Sequence, residues 1–335
     1  MEFTGAGRLE VRITPLDVGK RVSIRRLADS PAEGAMFNDT VGVLTSWDKG
    51  VLVITRRTGE SVRIPESSLV AGKVVPAAPA RRRGPAADFA ELARVTARAW
   101  QPVESEALGE WVLRASSGFT RRANSVLPLG DPGLELDTAL DRVRTWYAER
   151  SLPAYIQAAT GAAGTQEVLC AELESRGWTR EVTADVRIGG LAHIADLDAD
   201  TERVALARSL DELGRGWLLR YQRSGEVGPQ VLQVLGSGPS VWFAAVPGAG
   251  EVPAAIGRCV VDGRWAGFMA VEVDPAYRRQ GLATAVMTAL ARRALDEGAS
   301  AACLQVEAGN EGADALYTGM GFTTHHRYHH YRAAG

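Results

Sequence analysis

Between Val271 and Thr284 the chain reads Val-Glu-Val-Asp-Pro-Ala-Tyr-Arg-Arg-Gln-Gly-Leu-Ala-Thr. An apolar strand is stopped by Pro275. A short basic loop follows with Arg278, Arg279 and Gln280, then Gly281 and a run of good helix formers. That run carries an apolar stripe at Leu282, Val286, Ala289 and Leu290. The first turn of a helix leaves backbone N–H groups unpartnered, and the helix dipole adds positive potential there. A diphosphate is the ligand such a junction favours. Gly281 and Ala283 have little or no side chain, so phosphates can approach the backbone. The two arginines add charge.

Four of the five histidines cluster near the C-terminus as His325, His326, His329 and His330. Residues 323–331 read as a strand. Alternation sets His326, Tyr328 and His330 on one face and His325, Arg327, His329 and Tyr331 on the other. Two histidines four residues apart on a strand lie ~13 Å apart, too far to share a metal. No metal site is expected. The cluster is assigned to the acceptor side of a cleft or to a polar sheet edge, with His326 or His330 able to take a proton near neutrality. The three cysteines, Cys170, Cys259 and Cys303, have no metal-like spacing. Cys259 and Cys303 sit in apolar strand-like runs and read as buried thiols.

The elements that must position these groups fall into three stretches. At 335 residues, 46% hydrophobic and 23% charged, the chain predicts a globular protein of two or three domains. Residues 17–75 read as all-β, with short strands at 21–24, 40–46, 51–55, 61–64 and 72–75. Hairpin turns are expected at Lys49-Gly50 and Thr58-Gly59. Residues 76–87 are rich in Pro, Ala and Arg and read as a linker. From Asp88 the grammar alternates between helix and strand. Helices are expected at 88–100, at 137–149 with Asp137 as N-cap, and at 166–176; strands are expected at 111–115, 123–128, 154–158 and 181–188. The order then repeats. Helices are expected at 201–215, 283–297 and 313–320, and strands at 241–246, 254–261, 265–274, 301–307 and 323–331. The repeat predicts an internal duplication.

The segment Arg278-x-x-Gly281-x-Ala283 matches the (Q/R)-x-x-G-x-(G/A) motif of the GCN5-related N-acetyltransferase (GNAT) superfamily. With Leu304-Gln305-Val306, Asn310, Ala315-Leu316-Tyr317 and Gly321-Phe322 following, residues 240–332 resemble a GNAT domain. The resemblance implies a mixed central sheet and acetyl-CoA lying between the strands that end at Val273 and Glu307. Backbone groups of Val271 and Val273 would pair with the pantetheine arm. The N–H groups of Arg279, Gln280, Gly281, Leu282, Ala283 and Thr284, beside Arg278, would hold the pyrophosphate. Asn310 would bond the pantetheine. Tyr317 would act as the acid that protonates the CoA thiolate, although its helix stripe with Ala313, Leu316 and Met320 also suits a core aromatic. Some relatives carry a glutamate base where this chain has Gln305, which cannot titrate, so Glu272 and Glu307 are the candidate bases. Cys303 lies mid-strand, which argues against an acetyl-carrying thiol.

Residues 88–190 look like a degenerate GNAT unit. They lack R-x-x-G-x-A, and Leu173 stands where Tyr317 stands in the second unit. Residues 1–75 resemble an SH3-like barrel. The arrangement of barrel, linker (76–87), degenerate unit (88–190) and catalytic unit (191–335) is similar to an actinobacterial, histone-acetyltransferase-like group of GNAT proteins. The resemblance implies a protein lysine, an N-terminus or a small-molecule amine as acceptor. Two other readings remain. One is an acyl-CoA sensor without turnover; the other is a scaffold that uses the barrel. The formal net charge of −2 gives no whole-chain signal for nucleic acid, and the arginines at 81–83 leave such a partner open. No apolar run nears the length of a membrane span. A cytoplasmic location is the default expectation.

Overall fold

The computed structural model describes residues 10–27, 37–75, 84–221 and 227–334. Most of the expected linker, including the arginines at 81–83, lies outside them. The first sheet holds β1 (Arg21–Leu27), β2 (Phe37–Asp48), β3 (Val51–Thr55), β4 (Ser61–Pro65) and β5 (Leu69–Val74), all antiparallel in the order β4-β3-β2-β1-β5. Lys49 and Gly50 have φ of 49° and 74°, the two left-handed residues of a tight hairpin whose twist matches its strands. Alternating residues bury one face around Val22, Ile24, Leu44, Leu52, Ile54 and Ile64. The expected closed barrel is not formed: among the described residues no ladder joins β4 to β5. β4 stops at Pro65, which has no N–H to donate, and a short 3-10 turn (Glu66–Ser68) carries the chain across to pair with β1.

The remainder begins with α1 (Phe89–Arg98), β6 (Glu104–Leu108), β7 (Trp111–Ala115), β8 (Leu127–Pro128), α2 (Leu136–Ala148), β9 (Tyr155–Thr160), α3 (Glu167–Ser175) and β10 (Thr179–Gly190). It continues with α4 (Leu191–Ala195), β11 (Ala205–Ala207), α5 (Leu210–Leu213), α6 (Gly216–Arg220), α7 (Pro229–Gly236), β12 (Ser240–Val246), β13 (Ala255–Asp262) and β14 (Trp265–Val273). The last elements are α8 (Leu282–Asp296), β15 (Ala301–Glu307), α9 (Glu311–Gly319) and β16 (Thr323–Arg332).

Three local expectations are corrected. Residues 201–215 are not one helix. β11 pairs with the edge of β12, Ser209 caps α5 through the Asp211 N–H, and Gly214 at φ 72° ends it. The N-cap of α2 is Glu135, while Asp137 lies in its first turn and pairs with Arg176 at 2.5 Å. The strand expected at 123–128 shrinks to β8, because Arg121–Ala123 form a 3-10 turn.

One eight-stranded sheet, ordered β11-β12-β13-β14-β15-β10-β16-β9, carries both α/β units. β9-α3-β10 and β15-α9-β16 repeat each other. β10 inserts between β15 and β16, and β16 inserts between β10 and β9. Each unit thus completes its sheet with the other's last strand. α3 and α9 are nine residues each, with Leu173 and Tyr317 both seventh. α4 and α8 cover one face of the sheet. α1, α6 and α7 cover the other over β12–β14, and α2 and α3 pack on β7 and β9. α8 sits close because β13 offers Gly257; a Cβ there would lie 2.4 Å from Val286.

The histidine strand β16 is interior, not a sheet edge. A bulge at His325 breaks the expected alternation, since Val186 pairs with His326 and Arg187 with Thr324. His326, His329 and His330 are all buried. His329 bridges the hydroxyls of Thr160 (3.0 Å) and Thr183 (2.8 Å). Burial pushes both His326 and His329 down to about 3, so neither is a base suited to neutral pH. Unfolding restores their ordinary affinity for protons, so stability is full above about pH 6.5 and falls as the pH drops toward 3. The loss is about 1.4 kcal/mol per pH unit for each histidine. Denaturant titrations from pH 7 to 4 should show this slope. His329→Gln, which can still bond both threonines, should flatten it by one proton. An unchanged slope would remove His329 as its source.

Candidate active site

β14 and β15 form the one parallel ladder among the described residues of this sheet, and it stops early. Pairing runs from Trp265 with Ala301 to Phe268 with Leu304 and then ends. The cause lies in β14. Ala270 has φ 52°, and Ala270 and Val271 together oppose the single Gly257 of β13. This β-bulge increases the local twist and turns β14 away from β15. It also changes which face each side chain occupies. Met269 packs on the α1/α7 face, whereas Val271 and Val273 pack on the α8 face, which leaves Glu272 on the Met269 face. Beyond the bulge β14 pairs through Glu272 with Ile256 and through Val273 with Ala255 of β13, and has no rung to β15. The side turned to the gap is an open strand edge that an extended ligand arm can join.

β14 leads into the basic loop. Asp274 accepts the Ala276 N–H (2.8 Å) and the Arg220 guanidinium. Those bonds hold its carboxyl below the usual carboxylate range and fix the Pro275–Tyr277 turn. Arg278, Arg279, Gln280 and Gly281 are exposed. Arg279 (φ 65°) and Gly281 (φ 76°) are both left-handed. Gly281 is the N-cap of α8, with no side chain capping it, and the first helical bond runs from Ala285 N–H to Gly281 O at 2.9 Å. The N–H groups of Leu282, Ala283 and Thr284 are therefore left to a ligand or to water. A Cβ on Gly281 would meet nothing within 4 Å. The uncapped helix end, the open space and the two exposed arginines fit a pyrophosphate.

On the other side of the gap, Asn310 caps α9 by accepting the Ala313 N–H at 3.1 Å, so its amide N–H groups are what it can offer a ligand. Tyr317 is half-buried, with its ring edge-on to Phe322 at 5.9 Å. Gln305 and the exposed Glu307 follow the split on the α1 side of β15, away from Leu304 and Val306. Glu272, Met269, Gln305 and Glu307 thus share the face opposite α8. Cys303 is buried and its thiol is pushed up by burial to about 12, which makes it a poor nucleophile.

That face opens into two small adjoining clefts, both lined by Thr96, Trp100, Arg122 and Gln305. The sequence pattern assigned no role to Thr96, Trp100, Arg114 or Arg122. An arginine inside the apolar run Trp111-Val-Leu-Arg-Ala was the available signal for Arg114. Among the described residues no cluster of three or more His, Cys, Asp or Glu is placed to hold a metal, and no helix is long and apolar enough to cross a membrane.

A family model described as "Probable histone acetyltransferase Rv0428c C-terminal" matches residues 86–331. The probable histone acetyltransferase Rv0428c of Mycobacterium tuberculosis is 36% identical over 141 residues, which is 42% of this chain and 43% of that protein. The match thus spans under half the length of this curated relative. Among solved structures, a GCN5-related N-acetyltransferase from Kribbella flavida superposes with a TM-score of 0.55 at 17% identity, covering 73% of this chain and 95% of its own. A tandem GNAT protein from the clavulanic acid biosynthesis pathway gives 0.53 at 14% identity, covering 75% and 90%. These two likenesses establish the fold, and the family match covers well over half of the sequence. The chain belongs to the family described as the C-terminal part of probable histone acetyltransferase Rv0428c, built on the GNAT fold.

Proposed function

We propose that this protein is an N-acetyltransferase that moves the acetyl group of acetyl-CoA to a primary amine by direct attack. The observation that carries this reading is the split of β14 from β15 at Phe268 and Leu304, leading straight to the uncapped start of α8. Bound acetyl-CoA supplies an activated thioester carbonyl and a thiolate leaving group. The backbones of Val271 and Val273 hold the pantetheine arm. Arg278, Arg279 and the N–H groups from Arg279 through Thr284, Gln280 included, hold the pyrophosphate, and Asn310 donates to the pantetheine.

The amine must reach the carbonyl unprotonated. Glu272 and Glu307, on the face opposite α8, take its proton directly or through water. As the new C–N bond forms and the C–S bond breaks, Tyr317 Oη gives its proton to the departing sulfur. The first unit lacks both the cradle and a tyrosine at Leu173, so one catalytic centre per chain follows. In this reading residues 88–190 pack on the catalytic unit (191–335) and shape its acceptor side. The five-stranded sheet from Arg21 to Val74 is an accessory module in this reading. A cytoplasmic location goes with this reading. Gln305, which cannot titrate, favours a second reading as an acyl-CoA sensor.

Purified protein should release free CoA from acetyl-CoA in the presence of a panel of amines. Tight acetyl-CoA binding with no release on any amine would replace the transferase by the sensor. Gly281→Ala should raise the Kd for acetyl-CoA at least about tenfold. The left-handed backbone costs the alanine only about 1–2 kcal/mol of stability, while its methyl group intrudes where the phosphates approach. Unchanged affinity would remove the cradle.

A further inference from the structure

The cavity wall on the face opposite α8 is cationic without being ion-paired. Arg114 is buried, and its guanidinium donates to Ser125 O (2.8 Å), Ser125 Oγ (2.9 Å) and Gln157 Oε1 (2.9 Å), all neutral acceptors. Arg122 donates from Nε to Tyr328 Oη at 2.8 Å. Among the described residues neither arginine lies within ion-pair distance of a carboxylate. Glu307 acts on Arg122 only through space, from the exposed end of β15. Taking a cation out of water without a counter-charge is expensive. Arg114 and the half-buried Arg122 share this wall, and an anion that arrives with the ligand balances them most simply.

A second polar group faces the same space. Gln305 lines both cavities, and its Oε1 is buried with no hydrogen-bond partner. Gln305 is also the first residue of β15 beyond the last rung of the ladder, so it marks the place where the gap opens. An orphaned acceptor there suits a donor, and the N–H of an attacking amine is one. Within one cleft the Arg122 guanidinium faces the same space as an amide oxygen that lacks a donor, and the exposed Glu307 lies farther along that face of β15.

Resting on the acetyl-transfer reading above, we infer that the acceptor is a small amine bearing its own carboxylate, a free amino acid. Arg122 takes the carboxylate, in the two-pronged geometry guanidinium groups use for such anions. Gln305 Oε1 takes an amine N–H, and Glu307 faces the amine's positive charge before its proton is lost. A lysine inside a peptide has no free carboxylate and leaves Arg122 unanswered.

The test compares free amino acids, their decarboxylated amines, an aminoalkyl phosphate and a lysine-containing peptide, reading CoA release as kcat/KM. Calorimetry of the same compounds, with CoA present, reads binding without turnover. Amino acids should exceed the matching decarboxylated amines and the peptide at least about 30-fold. Arg122→Met should cut the amino acids at least about tenfold more than it cuts the decarboxylated amines, with acetyl-CoA affinity within about twofold of the parent. Gln305→Glu, a near-isosteric change, should cut the amino acids similarly by placing a carboxylate beside Arg122. A preference for the peptide or the decarboxylated amines overturns the inference, as does an amino-acid preference that survives both variants. Preference for the aminoalkyl phosphate overturns the carboxylate assignment. Absence of turnover on every amine sinks the transferase reading alone. In that case calorimetric binding of an amino acid, lost in Arg122→Met, still upholds the anion site, and absence of that binding overturns it.

Discussion

Tyr317→Phe should lower kcat about 10²- to 10³-fold with little change in the KM for acetyl-CoA, the size of effect that a positioned general acid supplies. The argument rests on what the substitution spares. The Tyr317 ring packs against the core under α9 and meets Phe322 edge-on at 5.9 Å, and phenylalanine keeps that ring. Only Oη is lost, and the packing of the ring is kept. The corresponding helix of the first unit shows the alternative: Leu173, at the same seventh position, is fully buried and does nothing but fill its core. Tyr317 is only half-buried, at the gap where the two strands part. Glu272→Gln and Glu307→Gln should lower the rate in another way, by removing the acidic limb of the pH–rate profile if the altered residue is the base. A Tyr317→Phe protein with parental kcat would leave the thiolate to be protonated by water and would end the assignment.

The parts of the candidate site that were legible in the sequence are those built from neighbours along the chain. Pro275 ending a strand and Gly281 opening a helix are local events, governed by backbone sterics and by orphaned N–H groups. What sequence could not supply was made by distant partners. The bulge at Ala270 has no sequence mark, because alanine is a poor choice for φ 52°; it is held there by Gly257 on the neighbouring strand. The exchange of β10 and β16 between units is invisible for the same reason: each strand looks complete until its neighbours are known. The alternating pattern of 323–331 was readable, but the bulge at His325 and the burial of both faces turned an expected polar edge into an interior strand. The helix expected at 201–215 failed because an edge of the sheet was available to residues 205–207, and tertiary pairing overrode local propensity.

Arg258→Ala should destabilise the protein by about 4 kcal/mol or more, near the top of the range for single substitutions. In the sequence this arginine is only a charge inside the apolar run Ile-Gly-Arg-Cys-Val-Val. In the structure it is fully buried, and its guanidinium donates to Leu235 O (2.6 Å), Ala99 O (2.9 Å) and Ser237 O while lying 5.1 Å from the centre of the Trp100 ring. Those carbonyls belong to the C-terminal ends of α7 and α1, where helices concentrate partial negative charge. Burial lowers the guanidinium to about 9, so it still carries its proton at neutral pH. Removing it leaves three acceptors without a donor, at about 1–3 kcal/mol each, besides a cavity. Arg258→Met tests the electrostatic part. A buried ion pair can often be exchanged for apolar side chains with little loss, because both charges leave together. Here the partners are backbone carbonyls that cannot be removed, so methionine should recover the packing and little else. Lysine, with one ammonium for three diverging carbonyls, should recover only part. Loss of less than about 1 kcal/mol in Arg258→Met would show that water satisfies the helix ends. A large loss should reach the site as well, because Trp100 and Met269, both in contact with Arg258, line the cavity beside Gln305. The guanidinium then does for the acceptor face what the Ala270 bulge does for the gap: a distant contact holds open a space that no local sequence pattern specifies.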